Sequence, residues 1–168
     1  MIKSCSLVLI FIAFSQPVYA DKFIPHFSSI KSSEVNVRKG PNVRYNIEWV
    51  YKSKGEPVEV IAEFEHWNRI RDIAGDEGWI KSVMLSKKRT AIINVIPPKN
   101  NKNHDSKLFV SLYRKPDNSS NIFAKIESLK RVTIESCQKE WCKIKVSNLS
   151  GWIKKQYLWG VYAHEELK

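Results

Sequence analysis

The sequence predicts an all-β protein of two tandem small β-barrels, preceded by a cleaved signal peptide. Three observations support this prediction: an export-type pattern at the N-terminus, short alternating strands separated by turn residues, and a set of landmarks that occurs twice in the same order. The 168 residues include 28 Lys and Arg against 17 Asp and Glu, and 43% are hydrophobic. This mixed composition excludes a wholly disordered chain and a polytopic membrane protein.

Residues 1–20 have the pattern of a Sec-type signal peptide. The basic start Met1–Lys3 precedes the apolar run Leu7–Phe14, and the segment ends at the small residue Ala20. Because this run is much shorter than the ~20 residues that span a bilayer, we predict cleavage after Ala20; a short uncleaved anchor is the alternative. Cys5 lies before the apolar run, which argues against a lipid-modified N-terminus. The mature protein, residues 21–168, is then expected in the periplasm without stable membrane insertion.

The remainder of the chain is a tandem duplication. Two landmarks recur closely, Trp67-Asn-Arg-Ile-Arg71 as Trp141-Cys-Lys-Ile-Lys145 and Gly78-Trp-Ile-Lys81 as Gly151-Trp-Ile-Lys154. Two recur loosely, Asn36–Asn42 as Leu112–Asp117 and Pro57–Ile61 as Arg131–Ile134. Apolar and polar residues alternate between the turns as in short strands, and strands at this spacing indicate one small barrel per unit.

These landmarks also predict the domain boundaries. The first barrel covers residues 21–85, the second covers 108–163, and residues 164–168 form a tail. Residues 86–107 are a linker with room for one strand in its first half, because apolar residues such as Ile92 and Ile93 require burial. Its second half has the Pro, Asn and Lys composition of a loop. We therefore expect the two barrels to be docked against each other.

The repeated landmarks resemble those of the bacterial SH3 (SH3b) domain. Asn36–Pro41 resembles its opening strand and turn, Trp67–Arg71 its aromatic-started strand, and Gly78–Lys81 its closing strand. Residues 23–163 resemble a family of exported alphaproteobacterial proteins with two tandem bacterial SH3 domains. The resemblance implies two SH3-like barrels and a role in cell-wall targeting or peptide binding. The second unit departs from the pattern at Lys115-Pro116, so its first loop is expected to differ in shape.

Strand alternation selects the candidate binding residues. Successive side chains of a strand point to opposite faces, so Trp67 and Arg69 share the face opposite to an inward Ile70. A partly exposed tryptophan beside cations suits stacking on sugar rings and pairing with carboxylates, and peptidoglycan offers both. The alternative is that each tryptophan caps the end of its barrel. The full set of candidates is Trp67, Arg69, Arg71, Trp141, Lys143 and Lys145, with Tyr45 and Tyr51 added because aromatic residues after the first turn could wall a peptide groove.

Cys137 and Cys142 are predicted to form a disulfide, because export places them in an oxidising compartment and a hairpin would bring them together. A reactive thiol or a metal pair is the alternative, although C-x4-C lacks partners at metal-site spacing. None of the four histidines forms a metal-binding pair, and the sequence contains no phosphate loop, serine elbow or carboxylate constellation. We therefore predict no catalytic residues, no metal and no cofactor.

Together these features predict a non-catalytic exported module that recognises cell-wall peptidoglycan or its stem peptides. The alternative is a periplasmic adaptor that binds an extended segment of another envelope protein. A net charge of +11 would also suit nucleic acid or another anionic surface. Export and the interspersed acidic residues argue against nucleic acid. The sequence does not predict the oligomeric state.

Overall fold

The computed structural model describes residues 23–95 and 107–168, where every strand is antiparallel to its neighbours. The predicted signal peptide therefore lies outside the described residues. The first 7-stranded sheet contains β1 (His26–Ile30), β2 (Val35–Arg38), β3 (Ile47–Tyr51), β4 (Pro57–Phe64), β5 (Trp67–Arg71), β6 (Glu77–Lys81) and β7 (Leu85–Ser86). The second contains β8 (Thr90–Ile93), β9 (Phe109–Tyr113), β10 (Ile122–Glu127), β11 (Arg131–Gln138), β12 (Trp141–Val146), β13 (Leu149–Lys154) and β14 (Leu158–Trp159).

The two sheets have the same topology. Their strand orders are β3-β2-β6-β5-β4-β1-β7 and β10-β9-β13-β12-β11-β8-β14, which coincide when β1 is matched to β8 and each later strand to its counterpart. A 3₁₀ turn occupies the same place in each unit, Ser82–Met84 after β6 and Lys155–Tyr157 after β13. The all-β prediction of two tandem SH3-like units is confirmed.

Strand β8 lies within the segment that the sequence analysis assigned to the linker. It pairs with β11 and β14, so it belongs to the second sheet. Burial explains its place, since Ala91 and Ile93 are fully enclosed in the second core. The residues after Gly160 are also attached to this sheet, because Leu167 exchanges two backbone hydrogen bonds with Cys137. The domain boundaries themselves stay a prediction.

Packing at the glycine explains why Gly-Trp-Ile-Lys occurs twice. A Cβ on Gly78 would lie 2.4 Å from Cγ1 of Val37 and 3.1 Å from Cη2 of Trp49, so only glycine lets the Trp49 ring cross β6. On Gly151 the same atom would lie 2.8 Å from the ring of Phe123. The isoleucine two residues later is fully buried in both units, where it fills the core of each barrel.

Aromatic side chains join the two barrels. The ring of Phe27 in β1 lies 4.8 Å from that of Tyr162 and 5.3 Å from that of Trp159, measured between centroids. The Tyr162 hydroxyl donates a hydrogen bond of 2.6 Å to Glu59 in β4. Phe27 is buried by these contacts, so the barrels share a small apolar interface with a polar edge.

Candidate functional site

The prediction that the two repeated tryptophans point outward is wrong. Trp67 is only 8% exposed and Trp141 only 7%. Alternation holds from Asn68 onward, with Asn68 buried, Arg69 exposed and Ile70 buried, and it fails at the first residue of the strand. At that end of the barrel the hairpin closes and the ring folds over the mouth, as the capping alternative described. In each unit a lysine covers the ring, with Lys81 Nζ 6.0 Å from the Trp67 centroid and Lys154 Nζ 5.6 Å from that of Trp141.

A groove nevertheless opens over the edge of Trp67. It is a cavity of about 500 Å³ between the loop after β2 and the 3₁₀ turn after β6. Asn42 and Val43 form one wall, Val83 forms part of the other, and Trp67 and Lys81 lie between them. An adjoining cavity of about 200 Å³ continues past Arg38, Glu34 and Met84 and shares Val43, Trp67 and Lys81 with the first. We call the two cavities together the Trp67 groove.

The larger cavity of the Trp67 groove is open and has exposed apolar side chains in its lining. Val43 is 56% exposed and Val83 is 63% exposed, on opposite sides of the groove. Exposed valines in an otherwise polar loop and turn leave apolar surface that a ligand could cover. The Lys81 ammonium provides a positive charge beside this surface, and the structure assigns it no ion pair within the described residues. The larger cavity therefore combines two exposed apolar side chains with the Lys81 cation, and the adjoining cavity adds Arg38 and Glu34, whose carboxylate is paired with Lys52 at 2.9 Å.

Hydrogen bonds hold the loop that forms one wall. The Arg38 guanidinium donates to the carbonyl of Tyr45 at 2.8 Å, and the Asn42 side chain accepts from the backbone of Arg44 at 3.0 Å. The Tyr45 ring lies directly against Gly40, where a Cβ would be 2.6 Å from it. A loop that is held in this way loses little conformational entropy when a ligand binds.

Tyr45 and Tyr51 are placed differently from each other. Tyr45 remains exposed and, together with Phe64, lines a further cavity of about 460 Å³ that meets the Trp67 groove at Asn42. Tyr51 packs against the first core instead, so its assignment to a groove wall is wrong. Its hydroxyl is buried without a hydrogen-bond partner among the described residues. Burial, followed by the charge of Asp72, raises the pKa of this phenol above its usual value.

The predicted cations do not gather around the tryptophans. Three of them form ion pairs on the sheet surfaces: Arg69 with Glu77 at 2.7 Å, Arg71 with Glu59 at 2.8 Å, and Lys143 with Glu135 at 3.5 Å. Exposed pairs of this kind contribute little to stability, and their charge is already neutralised. Lys145 lies away from Trp141 and lines a cavity between the two barrels. The residues that do form the groove, above all Val43, Lys81 and Val83, were missed, because only their position in the fold makes them neighbours.

The second barrel has a different arrangement at the same place. Tyr113 stands where the first barrel has Arg38, since Arg38 pairs with Trp79 and Tyr113 with Trp152. The Tyr113 ring packs edge to face on Trp141 at 5.2 Å between centroids. The following loop keeps the same backbone hydrogen bonds in both units, with Asn42 accepting from Tyr45 in the first and Asp117 from Ser120 in the second. The different loop shape predicted from Lys115-Pro116 is therefore wrong.

An aromatic ring in the second barrel packs on Trp141 from the position that Arg38 occupies in the first barrel.

The disulfide predicted between Cys137 and Cys142 is present in the structure. These residues are directly opposite each other on β11 and β12. Glu63 and Asn68 occupy the same paired positions in the first barrel and are joined by a hydrogen bond of 3.2 Å. Within residues 23–95 and 107–168, no cluster of three or more His, Cys, Asp and Glu side chains could hold a metal ion. None of the helices described there is long and apolar enough to cross a membrane.

Comparison with known proteins agrees with this architecture. The family model for the bacterial SH3 domain matches residues 31–87 and again residues 106–160. The chain belongs to the bacterial SH3 domain family. The two matches follow the two sheets, so the sequence resemblance is confirmed as to family and tandem arrangement.

Among curated proteins, this bacterial SH3 protein is similar to YrvJ of Bacillus subtilis, which carries the name N-acetylmuramoyl-L-alanine amidase. The two are 24% identical over 151 residues, which cover 84% of this chain and 29% of YrvJ. The chain therefore spans less than a third of the length of that relative.

Among solved structures, NlpC1 and NlpC2 of Trichomonas vaginalis are similar over 88% and 81% of this chain and over 50% and 48% of their own. Their sequence identities are 12% and 13% and both TM-scores are 0.35, which is too low to carry an argument.

Proposed function

We propose that this protein is a periplasmic, non-catalytic module that binds peptidoglycan by holding a stem peptide in the Trp67 groove. The observation that carries the proposal is the open groove itself, which is lined by two exposed valines and by Lys81. Short peptides with small apolar side chains and free carboxylates match this surface in shape and charge. The name of the curated relative, which refers to an N-acetylmuramoyl-L-alanine amidase, and the predicted export signal support the same ligand class.

The first barrel is the proposed binding unit. Its groove is lined by exposed Val43 and Val83, and the second barrel has the polar Asn118 and Gln156 at the matching positions of its loop and 3₁₀ turn. In the second barrel Tyr113 packs on the equivalent tryptophan. The second unit contributes to the proposed function by docking against the first through Phe27 and Tyr162.

The test is co-sedimentation of residues 21–168 with isolated peptidoglycan sacculi across rising salt. We expect Val43→Ser with Val83→Ser to weaken binding about tenfold, equivalent to about 1.4 kcal/mol. Lys81→Gln should weaken binding at low salt and flatten its salt dependence, because it removes the charge from the groove. Arg38→Tyr should weaken binding by placing a ring where the second barrel has one.

Matched controls come from the second barrel. Lys154→Gln removes the lysine equivalent to Lys81, and Ile122→Ser with Leu149→Ser removes two comparably exposed apolar side chains. Each control should bind sacculi like the parent. Equal loss in the groove variants and the controls would contradict the assignment of the groove, and absence of binding by the parent would contradict peptidoglycan as the ligand. Release of soluble muropeptides by the purified protein would contradict the non-catalytic role.

A protein adaptor is the second candidate, and the adjoining cavity at Tyr45 and Phe64 favours it. This cavity continues the groove past Asn42 along the loop and gives an extended protein segment a further aromatic surface to contact. A photo-crosslinking residue in place of Tyr45 would distinguish the two in intact cells. Crosslinks to a defined envelope protein support the adaptor, whereas crosslinks to sacculi support wall binding.

A further inference from the structure

Another cavity, of about 420 Å³, lies between the two barrels and is lined by both of them. We call it the inter-barrel cleft. Strand β1 and the turn at Lys54–Gly55 form one side, and strands β8, β11 and β12 form the other. Arg131 spans the two units, donating to the Ser53 hydroxyl at 3.2 Å and forming an ion pair with Glu56. The volume is in the range of sites for small ligands.

The charge of the inter-barrel cleft is entirely positive. Its basic lining residues come from both barrels, and none of its lining residues is acidic: the cations are Lys31, Lys54, Lys88, Arg131 and Lys145. Of these five cations, only Arg131 forms an ion pair with a described residue. The four lysines have no carboxylate partner among the described residues. Elsewhere on the surface lysines such as Lys39, Lys52 and Lys107 are paired with glutamates. Like charges facing one concave surface focus a positive potential that attracts an anion.

The number of cations in the cleft favours adjacent phosphates over a carboxylate. Arg131 Nη1 is already engaged by Glu56 and Ser53, so the cations without a carboxylate partner among the described residues are the four lysines. A lysine ammonium holds either anion, but adjacent phosphates place more negative charge within one cavity than a carboxylate does. The hydroxyl of Thr90, a cleft residue, is buried without a hydrogen-bond partner in the described part of the chain. Gly55 lies against the same part of the cleft, because a Cβ there would be 3.8 Å from Arg131 Nε and 4.0 Å from Cγ2 of Thr90.

We propose that the inter-barrel cleft binds a ligand that carries two or more adjacent phosphate groups. Several lysines around one cavity match a multiply charged group better than a single phosphate. Because the ligand would contact both barrels, its binding also adds to the contacts that dock them. This site is separate from the Trp67 groove and does not depend on the proposed function.

The test is isothermal titration of residues 21–168 with tripolyphosphate at low salt, with citrate as the carboxylate comparison. We expect one tripolyphosphate per chain, an affinity that falls with salt, and at least about tenfold weaker binding of citrate, which is about 1.4 kcal/mol. The double variant Lys54→Gln with Lys145→Gln removes one cation from each barrel and should weaken tripolyphosphate binding at least about tenfold. All the altered side chains are exposed, and circular dichroism would verify folding.

The matched control is Lys87→Gln with Lys125→Gln, which changes the net charge equally at exposed positions outside the cleft. It should keep the parent affinity. Absence of tripolyphosphate binding, equal losses in the cleft and control variants, or citrate binding as tight as that of tripolyphosphate would each overturn the proposal.

Vesicles identify the source of the phosphate. They are made of phosphatidylcholine with or without phosphatidic acid. Co-sedimentation that requires phosphatidic acid, is competed by tripolyphosphate and is lost in the cleft variant supports a lipid headgroup. Tripolyphosphate binding without vesicle binding supports a phosphate-bearing ligand in solution. Vesicle binding that the cleft variant retains would mean that net charge, and not the cleft, holds the anion.

Discussion

The Gly78→Ala substitution tests the packing that the repeated Gly-Trp-Ile-Lys motif is inferred to require. The new Cβ would lie 2.4 Å from Cγ1 of Val37, far inside contact distance, and 3.1 Å from Cη2 of Trp49. Val37 is fully buried, so it cannot turn into solvent to make room. Forcing one methyl group into a packed core costs about 1–3 kcal/mol. In a domain of about 60–100 residues each kcal/mol lowers the Tm by roughly 4–8 °C.

A double-mutant cycle isolates this clash from any general effect of the substitution. Val37→Ala alone removes two buried methyl groups and should cost about 1.6 kcal/mol from transfer, plus a cavity term. Combined with Gly78→Ala it frees the space that the new methyl needs, so the double variant should be more stable than the sum of the single changes by at least about 1 kcal/mol. Urea and thermal unfolding of residues 21–168, followed by circular dichroism, provide the free energies. A Gly78→Ala protein as stable as the parent, or strictly additive losses, would refute the reasoning.

Two further predictions concern the second barrel. Replacing Cys137 and Cys142 together by serine should lower the free energy of unfolding by about 2 kcal/mol, because the disulfide closes a short loop. Urea unfolding of the parent with and without reductant checks this value. Equal stabilities of the oxidised and reduced protein would contradict it. Burial raises the pKa of Glu165, but the hydrogen bonds from Arg89 and the Tyr162 backbone outweigh it and hold that pKa below the ordinary value of a glutamate. The stability that ionised Glu165 contributes is therefore complete above the ordinary value and is lost as the pH falls through the lower folded pKa. Glu165→Gln should flatten the acid limb of a curve of unfolding free energy against pH. An unchanged limb would contradict the role of the Arg89–Glu165 pair.

The sequence was sufficient to predict the repeat, the strands and the inward residues, because these depend on local alternation and on residues that occur twice. Ile70 and Ile80 are buried as their parity requires. The same argument from strand alternation failed at Trp67. It treats the first residue of a strand as if the sheet continued without curvature beyond that residue. At the end of a small barrel the ring can fold over the mouth, and only the closed structure shows that it does.

The candidate site was less predictable for a related reason. Val43 and Val83 are far apart in the chain and belong to no periodic pattern, so nothing in the sequence pairs them. Their juxtaposition depends on how the loop after β2 lies against the 3₁₀ turn after β6. The cations that alternation selected were real surface residues, but a strand pattern does not reveal the cross-strand glutamates that neutralise Arg69 and Arg71.

The two barrels share a topology but use their matching positions for different purposes. Where the second has a disulfide, the first has the weaker Asn68–Glu63 hydrogen bond. Where the second packs Tyr113 on its tryptophan, the first has Arg38, which donates to the carbonyl of Tyr45 in the following loop. A covalent link and an added ring both strengthen a fold, whereas exposed valines beside a groove leave apolar surface that a ligand could cover. These differences support the proposal that the first barrel binds the ligand and the second stabilises the pair.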